Sequence, residues 1–68
     1  MLDRKALRAE IVRNGLTQKE LAKILGMSEK TFITRMKKGV FGTDEVEIMV
    51  STLNIEDPLR IFFANKVT

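Results

Sequence analysis

Lys30, Thr34 and Lys37 recur at helical spacing along the segment Glu29 to Lys38, with Phe32 and Met36 on its other side. Ammonium groups donate to phosphate oxygens or to guanine O6 and N7, and a threonine hydroxyl can meet a base edge or a phosphate. That face is equipped to hold a polyanion. Covalent chemistry has little to work with. The 68 residues include no histidine and no cysteine, which removes the commonest general base and metal ligand together with every thiolate site. There is also no glycine-rich phosphate loop, and a domain this small has little room for a pocket. The chain is therefore expected to be no enzyme and to need no cofactor, metal or small-molecule ligand.

The elements that must position those side chains are written in their caps. Thr17 can cap a helix over Gln18 to Leu25, with Glu20 completing a capping box, and Ser28 can cap the helix that follows. An apolar residue precedes each cap and pairs with one five positions on, Leu16 with Leu21 and Met27 with Phe32, a hydrophobic staple twice over. Gly26 lets the chain turn between the helices, and Ala22 is small where a neighbour must cross closely. Two short helices joined at such a turn form a helix-turn-helix over residues 17–38, whose second helix enters the DNA major groove.

Three further helices complete the reading. The first begins at Asp3, turns Leu7 and Ile11 inward with Ala6 and Val12 beside them, and ends at Asn14-Gly15. The connector Val40-Phe41-Gly42 places Phe41 in the core. Thr43 then caps a fourth helix with the stripe Val46, Met49, Val50 and Leu53, ending at Asn54-Ile55 as the first ends at Asn14-Gly15. Asp57-Pro58 starts a closing helix, carrying Leu59, Phe62 and Phe63, that is expected to run to about Ala64. Residues 64–68 would be a frayed or extended tail, since Ile61-Phe62-Phe63 is also a β-favouring run.

Length permits one domain, residues 1–68. The net charge of +3 is unevenly spread. Residues 1–38 hold ten Lys/Arg against four Asp/Glu, whereas residues 39–68 hold two against five. A polyanion would meet the N-terminal side, although a solvated basic surface is the plainer alternative. With no membrane-length apolar run, no signal-peptide pattern and no cysteine, a cytoplasmic location is expected.

The segment TQKELAKILGMS resembles the helix-turn-helix of the lambda-repressor and Cro superfamily, where a Gln-x-x-x-Ala-x-x-x-Gly framework recurs, here Gln18, Ala22 and Gly26. The continuation KTFITRMKKGVFGTDEVEIMVSTLNIEDP and the tail IFFANKV are similar to small phage-encoded regulators of that superfamily. The resemblance implies a compact all-α, five-helix, lambda-repressor-like domain, acting in a bacterial host as a Cro-like repressor on double-stranded operator DNA. One position departs from the pattern. Arg35 stands where many members carry an apolar residue, and Met36 takes the apolar role, implying a slightly rotated or longer third helix.

Carried onto this chain, the superfamily's groove-facing set is Ser28, Glu29, Lys30, Ile33, Thr34 and Lys37. Lys30 can donate to guanine, Glu29 can accept from cytosine N4, and Ile33 can pack on a thymine methyl. Each has a plainer role beside it: Glu29 suits a helix start, and Ile33 can sit at the core's edge beside Phe32. Gln18 matches a residue that sits near a phosphate, with Lys19 and Lys38 as neighbours, and Lys37 and Arg35 are expected to grip phosphates. A homodimer, at least on DNA, would form through Phe62, Phe63 and Val67, unless the two phenylalanines close the monomer core instead. The competing reading is a protein-interaction module on the same scaffold, an antirepressor or antitoxin-like partner.

Overall fold

Asp3 caps the first helix, its Oδ1 accepting from the Ala6 N–H at 3.0 Å. The computed structural model describes residues 2–63, in which five helices follow one another: α1 Arg4–Arg13, α2 Gln18–Ile24, α3 Glu29–Lys38, α4 Thr43–Leu53 and α5 Pro58–Phe62. No strand occurs among the described residues, and the fold is the expected lambda-repressor-like all-α arrangement. The proposed tail, 64–68, and with it Val67, lies outside the described residues.

Four helix ends share one solution. Gly15, Gly26, Gly39 and Asn54 adopt positive φ, between 53° and 77°, and the next residue's N–H reaches back five positions. Leu16 donates to Ile11, Met27 to Ala22, Val40 to Arg35 and Ile55 to Val50, all between 3.0 and 3.2 Å. This closure satisfies carbonyls left free at a helix end and turns the following apolar residue back over the last turn. Leu16 and Met27 pack on the core and Ile55 is buried, so three ends become part of the interior. Val40 stays 65% exposed.

The core takes its side chains from every helix: Leu7 and Ile11, Leu21 and Ala22, Phe32 and Met36, Met49 and Leu53, Ile61 and Phe62. Leu2, which no periodicity marked, is buried against the Gly39 turn. The Asp3 N–H donates to the Ile61 carbonyl at 2.7 Å and ties the N-terminal end to α5. At the other end of α1, Arg13 and Asn14 both donate to the Leu53 carbonyl, at 3.0 and 2.9 Å. These donors serve the C-terminus of α4, whose last turn has no basic residue of its own. Glu10 holds the Arg13 guanidinium above its ordinary pKa, through a hydrogen bond first and its charge second.

Several expectations need correcting. Val12 is 74% exposed, because Leu7 and Ile11 already fill the inner face of α1. The cap of α4 is Gly42 rather than Thr43. The Glu45 carboxylate accepts from the Gly42 N–H at 2.8 Å, half of a capping box to which glycine has no side chain to add. Asp57 occupies the cap position of α5 without a side-chain hydrogen bond, leaving Pro58 as the start signal. The closing helix ends at Phe62, not Ala64, and turns Ile61 and Phe62 inward while Leu59 and Phe63 face out.

Candidate nucleic-acid interface

The turn at Gly26 decides how α3 is presented. Its φ is +77°, and a Cβ there would meet nothing within 4 Å, so the glycine serves backbone conformation rather than close packing. On the near side Thr17 accepts from the Glu20 N–H at 3.1 Å and Glu20 accepts from the Thr17 N–H at 2.9 Å, the full capping box. On the far side Ser28 Oγ accepts from the Thr31 N–H at 3.1 Å and donates to Thr31 Oγ1 at 2.9 Å. Each side-chain cap is worth about 1 kcal/mol. Both helix starts are thereby fixed, that of α3 within two residues of the turn.

Phe32 and Met36 anchor α3 from below. The Phe32 ring also packs on Phe41 with centroids 5.6 Å apart, holding the loop that leaves the helix. At about 100° per residue, the direction opposite those anchors falls to Lys30, Thr34, Lys37 and Lys38. All four are exposed. Lys30, Thr34 and Lys38 line one groove of about 650 Å³ with Val40, Phe41 and Gly42 of the following loop.

The remaining expected residues fall into other places. Lys19, Ser28 and Glu29 share a groove of about 430 Å³ with Glu20, Lys23 and Met27, between the starts of α2 and α3. Gln18, the first residue of α2, is half-buried beside Thr17, Arg8 and Val12. Ile33 is half-buried at the edge of the Phe32 side, so only part of it is open to a ligand. Thr34 Oγ1 donates to the Lys30 carbonyl at 3.0 Å. Its proton is thus engaged within the helix, and what it offers outward is lone pairs and a methyl group.

Arg35 departs from its expected role as a phosphate grip. Its Nη1 donates to Glu45 Oε1 at 2.5 Å, so the carboxylate that caps α4 also holds α3. This accounts for an arginine at a position where an apolar residue is usual in the superfamily: with Met36 in the core, Arg35 lands at its margin and finds a carboxylate. Arg8 lies in the groove beside Gln18. Only the packing of α1 across α2 brings them together, and no spacing within one segment could have shown it.

A family model for the antitoxin Xre-like helix-turn-helix domain matches residues 2–50, from before α1 to within α4. The chain belongs to that family. The match bears out the helix-turn-helix likeness to Cro and the lambda repressor at the level of a related family, and it spans every side chain of the face just described. The last three residues of α4 and all of α5 lie beyond it. No curated protein and no solved structure gives a match. Among the described residues there is no helix long and apolar enough to cross a membrane.

Proposed function

We propose that this protein is a sequence-specific regulator that binds double-stranded operator DNA with α3 in the major groove, in the manner of a Cro-like repressor. The observation that carries this reading is the outer face of α3: exposed Lys30, Thr34, Lys37 and Lys38 on a helix anchored by Phe32 and Met36 and capped beside a Gly26 turn. Lys30 donates to guanine O6 and N7, and the Thr34 lone pairs and methyl meet a neighbouring base. Ser28 and Glu29 face the base edges at the start of α3, with Ile33 touching a thymine methyl along its open side. Lys37 and Lys38 grip phosphates, and Gln18 with Lys19 does so from the start of α2.

One such domain reads few base pairs, so two copies on half-sites roughly 34 Å apart are expected. Phe62 is buried and closes the monomer, which removes it from the pairing surface. Leu59 on α5 and Phe63 at its C-terminal cap, exposed by 58% and 42%, take that role. The same pair supports a second reading, in which α5 carries an antitoxin-like contact to a protein partner while α3 holds DNA.

The test is base preference. Lys30→Ala and Thr34→Ala should each relax selection at one or two base pairs, a loss of about 1–3 kcal/mol of discrimination per good contact. Lys37→Ala should weaken all sequences alike. Unchanged preference in both of the first two variants would overturn this placement of α3.

A further inference from the structure

We infer that Arg4, Lys5 and Arg8 form a second phosphate-binding ridge, by which α1 grips the duplex backbone outside the base pairs that α3 reads. The inference rests on the DNA-binding reading and extends it to a helix outside the helix-turn-helix. Its starting point is that α1 is sorted by charge around its axis. On one side Asp3, Glu10 and Arg13 line a groove of about 510 Å³ with Glu56, Asp57 and Arg60. On the other, Arg8 and Val12 line the groove that contains Thr17 and Gln18. At about 100° per residue, Arg4 and Lys5 fall on the Arg8 side, away from Glu10.

The cations of α1 also differ in their partners. Arg13 is paired with Glu10, as Arg35 is with Glu45. Among the described residues no carboxylate lies within ion-pair distance of Arg4, Lys5 or Arg8. Nor does the helix need them where they are. Arg4 and Lys5 occupy the first turn, the positive end of the helix dipole, and that turn contains no acidic residue. Cations there work against helix stability, so an external anion is what their position suits.

Geometry connects them to the α3 face. Arg8 adjoins Gln18, which continues through Lys19 to the groove shared with Ser28 and Glu29. From Arg4 to Arg8 is one helical turn, about 6 Å along the axis. Successive phosphates of one strand advance by roughly 3.4 Å along the duplex. Three long side chains in one turn can therefore follow two or three neighbouring phosphates.

The experiment compares the unaltered protein with the triple variant R4Q/K5Q/R8Q on two duplexes. One is confined to the selected motif, and the other carries flanking sequence. On the long duplex the variant should bind at least roughly tenfold more weakly at low salt, and its salt slope should fall by about two to three units. On the short duplex the two proteins should converge. Base preference should be unchanged, and the melting temperature equal or higher, since the substitutions relieve first-turn repulsion. An unaltered salt slope, or weaker binding that only tracks a lowered melting temperature, would overturn the inference while leaving α3's role intact. Failure of the unaltered protein to bind any duplex would instead remove the DNA-binding reading and this inference together.

Discussion

Helices α3 and α4 are built to the same plan and present opposite charge. They contain 10 and 11 residues, and each buries an i,i+4 pair: Phe32 with Met36, Met49 with Leu53. Both carry acidic residues in the first turn, and both end at a left-handed residue, Gly39 or Asn54. Outside, they share nothing. Lys30, Lys37 and Lys38 stand exposed on α3, whereas α4 has Asp44, Glu45 and Glu47 and no cation. Packing fixes the buried pair and the half-buried positions beside it, Val46 and Val50 on α4 and Ile33 on α3, and leaves the remaining surface free to differ. On the proposed reading, a duplex approaching this molecule would be drawn to α3 and repelled by α4 before any contact forms. The one link between the two fields is the Arg35–Glu45 pair, where a cation of α3 meets the carboxylate that caps α4.

If the shared plan is what holds both helices, truncating either anchor should be the most damaging change. Phe32→Ala should cost about 3–5 kcal/mol and Met49→Ala about 2–5. Either is a large part of the stability of so small a domain, and denaturant unfolding would measure it. A variant of either kind that unfolds like the unaltered protein would break the comparison at its base.

The outer faces should differ in the opposite sense. K37E/K38E should cost about 1–2 kcal/mol of stability, because both lysines sit in the last turn of α3, but should weaken duplex binding by roughly a hundredfold at low salt and flatten the salt slope by about two units. Asp44→Asn with Glu47→Gln should leave binding equal or slightly tighter. Titration of one labelled duplex against both variants reads this directly. Equal effects from the two faces would mean that neither helix has a defined orientation to DNA.

Smaller effects probe the link and the closures. A double-mutant cycle on Arg35 and Glu45, using Arg35→Met and Glu45→Gln, should give a coupling of about 0.5–1 kcal/mol that shrinks with salt, since both side chains keep some solvent contact. The two left-handed ends should then respond unequally. Gly39→Ala should cost about 1 kcal/mol through its φ of +71°, because the added Cβ makes only ordinary contact with Leu2 at 3.5 Å. Asn54→Gly should gain a few tenths of a kcal/mol, as an L residue is relieved of φ 53°. Thermal unfolding of the pair measures both signs.

Local chemistry made most of the fold legible in the sequence. Thr17 with Glu20, Ser28, Gly26 and Asn14-Gly15 carry their instructions within four or five residues, and the structure follows each. What escaped depends on competition between near neighbours or on the packing of distant ones. Thr43 has the side chain of a cap, yet Gly42 holds that place because Glu45 turns back to its N–H. Val12 fits an inner stripe until its helix's other residues fill the space. Leu2 and Arg8 acquire their surroundings only when α1 packs against the Gly39 turn and the start of α2. At the candidate site, the outward direction of Lys30, Thr34 and Lys37 was readable from helical period alone. The capture of Arg35 by Glu45 was not, because it depends on where a carboxylate ten residues away lies in three dimensions, whereas the Thr34 bond to the Lys30 carbonyl is local to the helix.

The most direct measurement is selection from a random duplex pool, followed by salt titration of the best sequence. A domain that reads bases through α3 should enrich a roughly two-fold-symmetric motif with half-sites about one helical turn apart, bound ever more weakly as salt rises. Salt-sensitive binding with no enriched motif, or no binding at all, would contradict it.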